Sequence, residues 1–146
     1  MRGYTMIELI VVMVVLSILG AMAIPAFNSR TPLNVRGTRD QVRAILEYSR
    51  KLAVAQQTGV CVIIAPALVQ AVYVVGANCA PASPAGNTNA RSAAIPSDVV
   101  VNGAAVVQFD QNGRPVPNAN VTLNFGDTQG NVLHTLTVSN ETGLVY

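Results

Sequence analysis

At 146 residues, 51% of them apolar and 11% charged against about 25% charged in an average soluble chain, the sequence has room for one compact domain and excludes a multidomain protein. A formal charge of +2 without a long basic run argues against nucleic acid as a partner. The apolar excess is concentrated at one end. Leu9 to Phe27 reads LIVVMVVLSILGAMAIPAF, nineteen uncharged residues interrupted only by Ser17, Gly20 and Pro25. Such a distribution describes a small domain tethered to a membrane rather than a cytosolic enzyme.

At 1.5 Å per residue the run covers about 28 Å, close to the roughly 30 Å hydrocarbon core of a bilayer. Three readings of it compete. Ala21-Met22-Ala23 supplies an A-x-A-like signal-peptidase site, which would release a secreted binding domain. Against that, the apolar stretch exceeds the usual 7–15 residues of a signal peptide, and only Arg2 is basic ahead of it. A static membrane anchor explains the length but not Glu8, which opens the run. A carboxylate in hydrocarbon costs about 2.5–3.5 kcal/mol and is a functional hypothesis by default.

Arg2-Gly3-Tyr4-Thr5-Met6-Ile7-Glu8-Leu9 resembles the processing site of type IV pilins and pseudopilins. The resemblance implies that prepilin peptidase cuts after Gly3 and that the new amine, on Tyr4, is methylated. Glu8, the fifth mature residue, would then face the amine of a neighbouring subunit. At 4 Å and an effective dielectric near 20 that pairing is worth about 4 kcal/mol before desolvation, the size needed to offset insertion. The leader of three residues with one positive charge is short for the family, and a start codon upstream would account for both departures. Pro25 lies within the span, where a proline is tolerated as a kink; a simple kink at the membrane exit and a family-like helix that stretches in the filament both fit it. The implied organisation is a leader over 1–3, a transmembrane and assembly helix over 4–33, and a periplasmic pilin-like domain over 34–146.

After the span, residues 28–34 form a weak break, with Pro32 disfavouring helical geometry at Thr31. Helix resumes over about 38–58. Val42, Ile45, Leu46, Ser49, Leu52 and Ala53 repeat at i, i+3, i+4 and i+7, giving one narrow apolar stripe. Glu47 and Lys51 form an i, i+4 pair, and Gly59 is a candidate C-cap. The basic residues of this helix suit a solvated face or, as an alternative, a phospholipid-facing patch.

From residue 60 the period changes. Val60–Ile64 and Leu68–Val75, rich in β-branched residues, predict two strands joined by Ala65-Pro66-Ala67. Residues 76–97 read as loop. Further strands are expected at Ala105–Phe109, Val121–Phe125, Val132–Val138 and Gly143–Tyr146. Asp110-Gln111-Asn112-Gly113 and Asp127-Thr128-Gln129-Gly130 mark turns with Asx hydrogen bonding. The expected class is α+β: a long N-terminal helix, membrane-spanning then amphipathic, packed on an antiparallel sheet.

The helix Gln41–Gln57, the turn Phe109–Pro115 and the closing Leu136–Tyr146 resemble H-type minor pseudopilins, and with two cysteines they most resemble minor pilins of the mannose-sensitive haemagglutinin type. The resemblance implies a filament subunit whose partners are other pilins or pseudopilins, prepilin peptidase and an inner-membrane assembly platform. It leaves a pilus and a type II secretion pseudopilus both open.

Cys61 and Cys79 enclose seventeen residues. A periplasmic location would oxidise them, and closing such a loop is worth about 3 kcal/mol. In a regular hairpin Cys61 faces about Val72, so Cys79 has to reach back through Gly76-Ala77-Asn78, which the spacing permits without demanding. A metal site is not expected: His134 is the only histidine, and two thiolates make a poor tetrahedral set. His134 sits in an alternating strand as a structural or surface residue. No nucleophile elbow, P-loop or H-E-x-x-H pattern is present, so neither catalytic residues nor a cofactor are expected.

Overall fold

The structure, a computed structural model, describes residues 5–27, 30–75, 78–84 and 92–146. The chain divides into two compact units, Met1–Arg30 and Thr31–Tyr146.

The first unit carries helix α1 (Met6–Phe27). The Thr5 carbonyl starts it by accepting the N–H groups of Glu8 and Leu9 at 3.1 and 3.2 Å. Ser17, a polar interruption of the apolar run, turns its hydroxyl back onto the carbonyls of Met13 and Val14. That local bond satisfies the hydroxyl without a partner from outside the helix.

The second unit opens with helix α2 (Arg30–Gln56). It begins eight residues before the expected start and contains Thr31 and Pro32, so the break predicted across them does not form. The reason is position. The first N–H groups of a helix have no acceptor within it, and a proline there loses no bond and meets no preceding turn. The predicted stripe is the buried face, extended toward the N-terminus by Val35 and Thr38. Buried Ser49 donates to the Ile45 carbonyl at 2.7 Å.

The helix ends on Gln57, not Gly59. Gln57 adopts φ +51°, and the Thr58 N–H reaches the Ala53 carbonyl at 3.2 Å, which closes a Schellman-type end. The Gln57 amide donates to the Val54 carbonyl at 3.1 Å, a compensation that glycine lacks. Glu47 pairs with Arg43 at 2.9 Å rather than with Lys51. A guanidinium fork fits a carboxylate better than a mobile ammonium does, and this outweighs the small preference for Glu-to-Lys order.

Among the described residues nine strands follow: β1 (Val60–Ile64), β2 (Leu68–Val75), β3 (Asn78–Pro84), β4 (Ser92–Ala94), β5 (Val99–Gly103), β6 (Val106–Phe109), β7 (Pro115–Val116), β8 (Val121–Asp127) and β9 (Val132–Val138). The first sheet runs β3-β2-β1-β6-β7 with β4 also on β2; the second runs β5-β8-β9. Every pairing is antiparallel. The segment read as loop over 76–97 contains β3 and β4, which both line the outer edge of β2. Their sequences lack β-propensity; pairing to a preformed neighbour supplies what the residues do not. The expected strand at Gly143–Tyr146 is a single bridge, Val138 to Val145, flanked by reciprocal backbone bonds between Thr137 and Tyr146.

One core joins these layers. The α2 stripe packs with Val60, Val62, Val69, Val107 and Phe109 of the first sheet and with Leu123, Phe125, Leu136 and Val138 of the second. At the other flank of the helix, Asn34 donates to Asp98 at 2.8 Å, just ahead of β5. The fold is α+β, with an amphipathic helix laid on antiparallel sheets.

Candidate assembly site

Gly3 and Tyr4, the processing residues implied by the sequence, lie outside the described residues. Glu8 is in the first turn of α1, where the exposed amide ends of the helix favour a negative charge. It is exposed, as is every residue from Thr5 to Gly20; Met6 and Ile7 stand 86% and 72% open. No side chain there is buried, so α1 presents a long apolar surface without a cover in this chain. α1 continues through Pro25 to Phe27. Among the described residues no helix is long and apolar enough to cross a membrane.

The domain behind this segment is held by three devices. The first is the disulfide between Cys61 and Cys79, with Cα atoms 5.7 Å apart. Cys61 stands opposite Val72 as the hairpin register required, and Cys79 opposite Val74. With β2 between them, two flat strand spacings would separate the cysteines by about 9.5 Å. The edge therefore curls over, and the register shift between Val72 and Val74 is where it does so.

The second device is a pair of matched turns. Asp110 Oδ1 accepts the N–H groups of Asn112 and Arg114 at 2.9 and 2.8 Å. Asp127 Oδ1 accepts those of Gln129 and Asn131, both at 2.9 Å. Asp127 Oδ2 also takes the Asn131 amide. These bonds, the Asn131 side chain foremost, hold the Asp127 carboxyl below its ordinary 3.8. A depressed carboxyl contributes stability above its unfolded value and loses it as pH falls through the folded one. Asp127→Asn is therefore expected to lower the thermal midpoint at about pH 6, with the gap to the parent narrowing as pH falls below the ordinary carboxyl range. A gap that stays constant across that range would contradict the assignment.

The third device joins parts distant in sequence. Gly113 ends the first turn and Gly143 the last, and a side chain at Gly143 would strike the Gly113 carbonyl. Both turns lie on the stem of Arg50 from α2, within 3.1–3.4 Å of where their Cβ atoms would be. The Arg50 Nε beneath them is buried without a hydrogen-bond partner. Nothing in the sequence pattern pointed to Arg50, because the contact links three segments with no common period.

His134 lies half-buried on β9 opposite Phe125. Among the described residues no three metal-binding side chains converge.

Residues 1–24 match the prokaryotic N-terminal methylation motif. No curated protein sequence matches the chain. Its fold is similar to the type IV minor pilin FimU of Pseudomonas aeruginosa in two crystal forms. The first has a TM-score of 0.60 at 18% identity, over 77% of this chain and 86% of FimU. The second has a TM-score of 0.58 at 17% identity, over 76% and 90%. The chain is type IV pilin-like. The likeness rests on the motif over residues 1–24 and on the fold.

Proposed function

We propose that this pilin-like chain is a minor subunit of a type IV pilus. It waits in the bacterial inner membrane with residues 34–146 in the periplasm, is cut after Gly3, and enters the filament through its N-terminal helix. The observation that carries this reading is the methylation motif over residues 1–24 on an apolar helix whose side chains are exposed from Met6 to Gly20. A filament core of like helices gives that surface a permanent cover once it leaves lipid. Glu8 then meets the methylated amine of Tyr4 in a neighbour, and Pro25 lets the helix yield where subunits crowd. Other pilins, prepilin peptidase and the inner-membrane assembly platform are the partners this route requires. A pilus is preferred to a secretion pseudopilus because the solved proteins of similar fold are described as type IV minor pilins.

N-terminal sequencing with intact-mass measurement tests the proposal. The expected product begins at Tyr4 and carries one added methyl group, and it is recovered in the sheared-filament fraction. A chain that keeps Met1, or one that begins after Ala23, would overturn it.

A further inference from the structure

Arg50 is held more firmly than an arginine at the edge of a helix face ordinarily is. The turns at Gly113 and Gly143 close on its stem, and its Nε is sealed beneath them without a hydrogen-bond partner. A guanidinium taken out of water and left without a bond marks a place where an acceptor is missing. The arginines earlier on the same helix have one each: Arg39 pairs with Asp40 and Arg43 with Glu47, both at 2.9 Å. Arg50 and its neighbour Lys51 make no ion pair or hydrogen bond among the described residues.

The second unit has almost no acid to spare for them. Asp40 and Glu47 are taken, and Asp98 accepts from Asn34. Asp110 and Asp127 are occupied by the backbone of their own turns. Glu141, the remaining acid, makes no ion pair with either cation. The two cations border a depression of about 270 Å³ whose other walls are Val54 and Ala55. Spacings of three and four residues bring these side chains together on the helix surface. Lys51, Val54 and Ala55 are exposed, Val54 to 42%.

From this we infer that the depression receives an acidic side chain of a different pilin, with its carboxylate on Arg50 and Lys51 and its apolar surroundings on Val54 and Ala55. The charge calls for a carboxylate or a phosphate, and the walls decide between them. An inorganic anion or a lipid phosphate would answer the cations and leave Val54 and Ala55 wet, whereas a side chain on a folded surface covers both. With Nε sealed, the terminal nitrogens of Arg50 are the donors left, and they still form a two-pronged fork. Because the turns already fix the stem, the contact immobilises little of Arg50, and pre-organised arginines are good interface anchors. That the neighbour is a pilin rests on the filament reading above; the unpaired cations do not.

The test places the photo-cross-linker benzoylphenylalanine at Ala55 of the full chain and irradiates intact cells. The expected product is an adduct with another pilin, joined at a peptide that contains Asp or Glu. Lys51→Glu is expected to cut its yield at least about tenfold by repelling the carboxylate, and changing the partner's acid to Lys is expected to restore it. Arg50→Met keeps a stem beneath the turns and is expected to cut the yield as well, with the Cys61–Cys79 bond as evidence of folding. An adduct with phospholipid or with a second copy of this chain, no adduct, or a yield unchanged by Lys51→Glu overturns the assignment. The filament reading is scored separately. Subunits in sheared filaments without the adduct refute only this contact, and the adduct in membranes with the subunit absent from filaments refutes only the filament.

Discussion

Gly143→Ala is expected to destabilise the domain by about 3 kcal/mol or more, a large part of the 5–15 kcal/mol that holds an ordinary domain together. Two costs combine. Gly143 has φ +65°, where a residue with a Cβ is disfavoured by about 1–2 kcal/mol. The added methyl would also drive into the Gly113 carbonyl, with the Gly113 carbonyl carbon at 3.0 Å and Arg50 Cδ at 3.2 Å. That carbonyl belongs to a turn fixed by two bonds to Asp110 Oδ1, so relief requires moving a held backbone rather than rotating a side chain. Gly130→Ala separates the two costs. Gly130 has φ +90° with nothing within 4 Å of its Cβ position, so only the conformational cost of about 1–2 kcal/mol remains. Urea titration of residues 31–146 measures both, since that unit contains the whole described core. Equal losses in the two variants would show that the contact between the turns contributes nothing.

What could be read in the sequence was local and periodic. The stripe from Val42 to Ala53 repeats at helical spacing, and it is the face that α2 buries. Val60–Ile64 and Leu68–Val75 are β-branched runs around a proline turn, and their register puts Cys61 opposite Val72. Where sequence and structure differ, position within the element decides. Pro32 has the signature of a breaker, although in a first turn it has no bond to break. Gly59 is the residue type that favours a cap, yet Gln57 takes the left-handed position and secures it with its own amide. β3 could not be seen because its strand character comes from β2 and from the Cys61–Cys79 bond, not from NCAPASP. The convergence of Gly113 and Gly143 on Arg50 was invisible for the same reason: its cause lies in the assembled fold. For the assembly site the balance is reversed. Glu8 stands out in the sequence as a charge opening an uncharged run, and the isolated chain leaves it exposed and without a neighbour to explain it.

Glu8→Ala is expected to leave membrane insertion intact and to remove the subunit from filaments. Deleting the carboxylate lowers the cost of placing α1 in lipid, because an acid there costs about 2.5–3.5 kcal/mol. In the proposed filament the same deletion strands the charged amine of a neighbour's Tyr4 in an apolar core. Breaking one member of a buried pair typically costs about 3–5 kcal/mol, more than a hundredfold in partition between membrane and filament. Glu8→Asp should fall between the two, since it keeps the charge and shortens its reach by one methylene. The measurement compares membrane and sheared-filament fractions for the three chains, after confirming that each is cut at Gly3. Cleavage is the necessary control, because an uncut chain has no amine at Tyr4 to pair. Should Glu8→Ala enter filaments as well as the parent does, the carboxylate has no part in assembly, and the apolar surface of α1 must select its neighbours by shape alone.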